Sequence, residues 1–545
     1  MTIDNDYIAG QFSLLSKLMD IHGENSFKAK SYSVAAFTLE KIPSVEGLPL
    51  EKMTAIRGIG DAIGKKILEI QQTGELRALK EIIHKTPAGV IEMLQIKGLG
   101  PKKIATIWKE MEVESVGELL YACQENRLLL FKGFGEKTQQ NVRDAIEFRL
   151  KHAGSHLFAE VEGLALRLDA ALKAAFPGEQ FALTGDLRRQ LEVVEKLEWV
   201  TTVEVDAAMR TLAETVEKTG GETVSVEVGF VHAAAGDFVR VLFETSCSGE
   251  FLEHLKEKEG WNATGACVNE EALFSAVGMP YLSPVRREQR GLKDWGPVIE
   301  PKDIRAVIHS HSNWSDGSNT LEEMAAGCIQ RGYEYLVISD HSKSAFYANG
   351  LKEDRIREQH AQIDELNRKL APFTIFKSIE ADILNDGALD YAVDVLAGFD
   401  LVIASVHSNL KMSHEKAMGR LLNAIENPYT TILGHLTGRL LLSRPGYPID
   451  HKAIVDACVA NSVVIELNAH PRRLDMDWRW IGYALEQGAM ISIDPDAHSV
   501  AGIDVVRYGV LAAQKAGVTP AQNLSSFGLE EFKEWLFETR SGKGI

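Results

Sequence analysis

Along the last 250 or so residues, apolar stretches of strand length end repeatedly on a histidine or a carboxylate, and they recur roughly every 30 residues. Ala306-Val-Ile leads to His309 and His311, Leu336-Val-Ile-Ser to Asp340 and His341, and Thr374-Ile-Phe-Lys-Ser-Ile to Glu380. Similar runs precede His407, His435 and Glu466, and a last one precedes Asp494, Asp496 and His498. Continuous apolar runs of this length fit strands covered on both faces. Between them lie helical periodicities at roughly 320–332, 352–371, 387–397, 413–427, 451–460 and 478–487. That alternation is the rhythm of βα units around a parallel sheet. Seven units without an eighth predict an open or distorted barrel, with its polar endings at the carboxyl ends of the strands, where such barrels place their chemistry.

The pattern changes upstream. Residues 1–150 read as one short helix after another, and a motif recurs at their turns: Ile56-Arg-Gly58-Ile-Gly60, Ile96-Lys97-Gly98-Leu-Gly100 and Phe131-Lys132-Gly133-Phe-Gly135. Two glycines around an apolar residue, set before a helix, turn backbone N–H groups outward into a concave anion site that holds a phosphate without reading bases. One copy would read as a simple helix cap. Three copies, each with Arg57, Lys97 or Lys132 before the first glycine, predict contact with a DNA backbone. From 151 to about 295 the pattern is mixed. A helix near Glu160–Ala175 precedes Phe181-Ala-Leu-Thr-Gly185-Asp-Leu-Arg-Arg189, and strand-like stretches follow at 197–205, 223–231 and 238–243.

Composition narrows the functional classes. A length of 545 residues predicts several domains. The formal charge of -18 argues against a uniformly basic wrapper of nucleic acid, although residues 1–150 are close to balanced and the acidic excess lies downstream. The five cysteines are scattered with no pair at metal-site or redox spacing, which fits free thiols. No leader pattern and no apolar run of about 18 residues occurs, so a soluble, cytoplasmic chain without membrane association is expected.

The strand ends supply nine candidate metal ligands: His309, His311, Asp316, His341, Glu380, His407, His435, Asp496 and His498. His309-Ser-His311 would put both imidazoles on one side of a strand, because strand side chains alternate with period two. Asp496-Ala-His498 repeats that spacing at the other end of the module, and barrel closure would bring the two together. Mixed imidazole and carboxylate donors suit Zn, Mn or Fe better than Ca or Mg, and the absence of a cysteine ligand argues against a structural zinc. Nine donors exceed one ion's need, so two or three divalent ions are expected. Clusters of that kind activate water and neutralise charge at a phosphate ester.

In its N-terminal half the chain resembles the family X DNA polymerases: helix-hairpin-helix pieces, then a palm opening on Gly185-x-Leu-Arg-Arg, then Gly278-Met-Pro-Tyr281. Residues 303–545 resemble the PHP (polymerase and histidinol phosphatase) family through His309-x-His311, Ser315-Asp316-Gly317, Asp340-His341-Ser342, Glu380, His407-Ser408, Gly434-His435 and Asp496-Ala-His498. The resemblance implies three modules: an all-α helix-hairpin-helix region at 1–150, an α+β polymerase-like palm and thumb at 151–295, and an α/β distorted (β/α)7 PHP barrel at 303–545. It also implies a ligand partition. One metal would lie on His309, His311, Glu380 and Asp496, a second on Glu380, His407 and His435, and a third on Asp316, His341 and His498. Substrate contacts are implied at Lys343 and Arg439, and Asn468 and Arg472 lie at a strand end on the same rim. Lys66 matches the position of a Schiff-base lysine in eukaryotic relatives.

The departure from the family pattern is in the palm. The family's paired aspartates fall on Lys196 and Glu198, and its third aspartate, on a later strand, falls on Leu242. A lysine adds positive charge where two cations need neutralising, and leucine offers no donor. The expected activity is therefore a DNA-binding metal-dependent phosphodiesterase, a 3′-to-5′ exonuclease or end-processing nuclease of DNA repair, with polymerisation lost. The rival readings are an active repair polymerase with a proofreading PHP domain, a small-molecule phosphatase and a non-catalytic DNA-binding scaffold.

Overall fold

The computed structural model describes residues 3–124, 127–151, 154–218, 226–258, 261, 268–288, 297–442 and 445–545. The chain divides into two compact units, Met1–Ala153 and Gly154–Ile545. The first is all helical, and the three glycine motifs repeat one geometry. Gly58, Gly98 and Gly133 take φ of 97°, 92° and 97°, a region open to glycine at no steric cost. The apolar residue that follows, Ile59, Leu99 or Phe134, is buried as an anchor. The helices Asp61–Thr73, Pro101–Lys109 and Glu136–Lys151 then start directly after Gly60, Gly100 and Gly135.

In the second unit, strands Phe181–Thr184, Lys196–Thr201 and Glu227–His232 form a small mixed sheet. The strand expected at 197–205 stops at Thr201, and a helix runs from Val205 to Lys218. Of the strand expected at 223–231, residues 223–225 lie outside the described residues. The stretch 238–243 is not a strand: Phe238–Thr245 is a helix. Its aromatic and valine content reads as strand, but buried Phe238 and Leu242 are spaced i, i+4, the helical period. Leu242 therefore does not occupy a strand position beside Lys196 and Glu198. The neighbour there is Gly229, paired with Glu198 across the parallel ladder.

The barrel forms as the periodicity predicts. Seven strands, Ala306–Val307, Tyr335–Ile338, Thr374–Asp382, Leu401–Ser405, Ile432–Leu433, Val464–Asn468 and Ile491–Asp494, lie in sequence order in one sheet. Every ladder in it is parallel. First and last strands meet through a bridge between Ser310 and Ala497, so the barrel nearly closes without an eighth strand. The helix expected at 387–397 shrinks to Val393–Leu396. At the opposite end, the ring of Phe532 from the terminal helix Leu529–Lys543 packs 4.6 Å from that of Tyr335 and 4.9 Å from that of Phe376. That plug leaves the carboxyl ends of the strands as the open rim.

The region of the small mixed sheet and the barrel share the second unit and are joined by polar bonds. Glu192 accepts from Trp478 Nε1 at 3.0 Å and from Arg479 Nη1 at 2.6 Å. Lys515, fully buried, donates to the Arg189 carbonyl, and Arg472 donates to Glu160 at 3.1 Å. Cys123, Cys247, Cys328 and Cys458 are buried free thiols, and Cys267 lies outside the described residues.

Candidate metal centre

All nine sequence candidates converge on the rim. Glu380, 1% exposed on the strand Thr374–Asp382, is the hub. Its Oε1 lies 2.9 Å from His435 Nε2, 3.0 Å from His407 Nε2 and 3.3 Å from His309 Nε2, and its Oε2 lies 2.9 Å from His341 Nδ1 and 3.7 Å from His311 Nε2. His311 Nε2 is 3.0 Å from Asp496 Oδ1, and His498 Nε2 is 3.5 Å from Asp316 Oδ1.

The pairing of His309 with His311 has a different cause from strand alternation. The strand ends at Val307, and His309 adopts φ of 60°. Asp496 likewise lies past its strand with φ of 51°. The chain thus leaves each strand and turns, which is what aims these side chains inward.

Three sets of donor atoms each lie within 4.8 Å of one another: His309, His311 and Asp496; His341, Glu380 and His407; and His311, Asp316, His341 and His498. Relative to the partition implied by resemblance, His311 faces two sets and His341 joins Glu380 with His407. His435 stays at the same carboxylate through its 2.9 Å contact. The first set is deeply buried, whereas the side chains of Asp316 and His498 are 33% and 42% exposed, so solvent reaches the cluster from their side.

These donors fit divalent cations. His309 Nε2 is buried and makes no hydrogen bond among the described residues, although it faces Glu380 and Asp496. Such a nitrogen costs about 1–3 kcal/mol if nothing satisfies it. Burial, and then the neighbouring His498 and His341, push His311 down to about 3, which keeps it in the neutral form that ligates metal. Burial works against the charged forms of Glu380 and Asp496, yet the surrounding imidazoles hold both well below the usual carboxylate range.

Carboxylates behind the cluster orient it. Glu466 Oε2 lies 2.6 Å from His309 Nδ1, and Asp382 Oδ1 lies 2.5 Å from His407 Nδ1. Each fixes the tautomer that turns Nε2 toward Glu380. Neither was in the candidate set. Glu466 closes the sixth apolar run and Asp382 lies two residues past Glu380 on the same strand face, so both left a signal, but the sequence could not say which histidine each supports. Asp340 also ends a strand, yet it serves the loop: it accepts from Ser312, Ser315 and Gln359 and so holds the turn that carries Asp316.

The weaker candidates divide. Asn468 is buried and donates to Glu466 at 3.0 Å and to Asp496 Oδ2 at 3.1 Å, so it braces a rim carboxylate. Lys343 pairs with Glu353 at 2.7 Å on the rim loop after His341. Arg439 is engaged by Asp477 and by the Arg473 and Leu474 carbonyls. Arg472 reaches Glu160, whereas its neighbour Arg473 lies 3.9 Å from Asp496. In the first unit, Lys66 pairs with Glu69 at 2.5 Å, and Lys97 and Lys132 are exposed on their hairpins.

In the small mixed sheet, Lys196 Nζ lies 2.9 Å from Glu198 Oε1, a contact that raises the lysine pKa. A side chain at Gly229 would meet Lys196 Cε at 2.4 Å. A cation fixed to the protein thus covers the strand position facing Glu198.

Comparisons with known proteins agree with this geometry. Residues 3–76 match a helix-hairpin-helix domain family, and residues 90–147 match a SAM-like helix-hairpin-helix tandem. The chain is 31% identical over 555 aligned residues to the DNA polymerase/3′-5′ exonuclease PolX of Bacillus subtilis, covering 95% of this chain and 96% of that one. It is 26% identical to a probable phosphatase of Caldanaerobacter subterraneus over 44% of this chain and 95% of that one. It is 27% identical to the probable phosphatase YcdX of Escherichia coli over 35% of this chain and 78% of that one.

Proposed function

Since the chain belongs to the bacterial family X DNA polymerase/3′-5′ exonucleases that carry a PHP domain, we propose that it is a metal-dependent 3′-to-5′ exonuclease of DNA ends whose palm no longer polymerises. In this reading the domains are the hairpin region at 1–150, the palm and thumb at 151–295 and the PHP barrel at 303–545. The convergence of five imidazoles on Glu380 carries the proposal.

Two or three divalent ions, Zn, Mn or Fe, held by His309, His311, Asp316, His341, Glu380, His407, His435, Asp496 and His498, supply charge neutralisation and water activation at a phosphodiester. The chain's own groups do the rest. Glu466 and Asp382 hold His309 and His407 in one tautomer, and Asn468 keeps Asp496 turned inward. Gly58, Gly60, Gly98, Gly100, Gly133 and Gly135 open backbone N–H groups to phosphates, with Lys97 and Lys132 beside them, so DNA is gripped by its backbone. Lys196 argues against two-metal nucleotidyl transfer in the palm, because its ammonium pairs with Glu198, the one carboxylate left at the family's paired-aspartate positions.

End-labelled gapped DNA incubated with the protein, with and without nucleotides, under Mn and under chelator, tests both halves. Shortening under Mn that chelator abolishes, with no extension, is the expected result. Template-dependent extension overturns the loss of polymerisation, and DNA left intact under Mn overturns the nuclease.

A further inference from the structure

The loop after His341 begins and ends at that residue. Leu351 N donates to the His341 carbonyl at 2.8 Å, and Ser342 and Leu351 form a bridge. At its apex is the short turn Phe346–Ala348. Ala345 and Ala348 face inward and are buried, but Phe346 between them is 86% exposed. A single exposed phenylalanine is ordinary on a protein surface. This one differs because its loop is held at many points.

Ser344 N donates to Asp390 at 2.9 Å and Lys343 N to the Tyr391 hydroxyl at 3.1 Å, which ties the loop to the segment after Glu380. Asn349 reaches the Trp314 carbonyl, and Arg355 donates to the Asn349 carbonyl at 2.8 Å, which ties it to the segment carrying Asp316. A Cβ at Gly350 would fall 1.8 Å from the Ser342 carbonyl oxygen, so the tight closure admits only glycine. The ring is thus presented to solvent on a braced support, at the excursion from a metal-cluster histidine whose neighbours Asp316 and His498 are its solvent-open members. The braced backbone fixes the position from which the ring projects, and bases stack on aromatic faces whatever their identity.

We propose that Phe346 stacks on the base of the terminal nucleotide and so determines that the barrel accepts a polynucleotide end rather than a small phosphate ester. This rests on the exonuclease reading above. Phe346 touches neither the cluster nor the scissile bond in this role; it sets binding and register.

The test uses full-length protein and two single-stranded oligonucleotides, one with an ordinary 3′-terminal nucleotide and one whose terminal residue lacks a base. Phe346→Ala raises KM on the ordinary end about tenfold, the size of one lost base–aromatic stack, and leaves kcat unchanged. On the baseless end it changes neither constant. Phe346→Trp restores KM on the ordinary end. An unchanged KM on the ordinary end, or an equal rise on both ends, overturns the stacking role while leaving the nuclease intact. Wild-type protein that shortens neither end overturns the nuclease reading and the stacking role together.

Discussion

His309 and Asp496 immediately precede the two residues of the parallel bridge between Ser310 and Ala497, each with a left-handed backbone, and their side chains meet with Nε2 3.6 Å from Oδ1. The segments that follow the first and last strands therefore close beside two members of the histidine–carboxylate cluster. Closure of the barrel thus brings together two members of the cluster that are far apart in the chain.

Glu380→Ala removes the carboxylate that faces five imidazoles. The loss of nuclease activity should exceed about 10²-fold, more than removal of a supporting partner costs. Metal content of the purified variant, read by elemental analysis, should fall in parallel. Activity close to wild type would show that the cluster is not the catalytic centre.

Glu466→Gln and Asp382→Asn keep the shape of the supporting groups and remove their charge. Each should weaken metal affinity about 10- to 100-fold, and excess Mn should restore most of the activity. Metal titration followed by calorimetry distinguishes this from misfolding, because the folded fraction stays constant.

Lys97→Ala and Lys132→Ala should each weaken duplex binding to a similar degree on unrelated sequences. Each should also lower the slope of log affinity against log salt by about one, as for a lost phosphate contact. Fluorescence anisotropy across a salt series measures both, and a sequence-selective loss would contradict backbone binding.

Lys515 is buried against the palm, and burial pushes it down to about 8 against the opposing pull of Glu288 and Glu192. The unfolded chain then binds more protons than the folded one between about pH 8 and the ordinary lysine value. The contribution of Lys515 to stability should therefore rise with pH across that window, by at most about 3 kcal/mol. It stands beside a contribution of the same sign from Lys543 and an opposing one from the buried thiols of Cys247, Cys328 and Cys458, which burial pushes up to about 12. Lys515→Met should remove the Lys515 contribution. Urea unfolding of wild type and Lys515→Met at pH 7, 8.5 and 10 checks the sign, and a stability difference between them that does not change with pH would refute it.

Much of this protein was determined by local sequence. Each apolar run of the barrel became a strand and each glycine pair a hairpin, because continuous strand-length burial, helical period and the freedom of glycine at positive φ act within a few residues. The candidate metal donors were legible for the same reason: a barrel exposes whatever ends its strands. Tertiary structure decided what depends on residues far apart in the chain. Asp382 and Glu466 became partners of particular histidines, Asp340 went to the loop carrying Asp316, and Arg439 was drawn to Asp477. Phe238–Thr245 folded as a helix in spite of its strand-like composition, since burial of one helical face outweighed propensity. The left-handed turns at His309 and Asp496 arise at barrel closure, where the meeting of the first strand with the last imposes a backbone that neither segment's own sequence specifies.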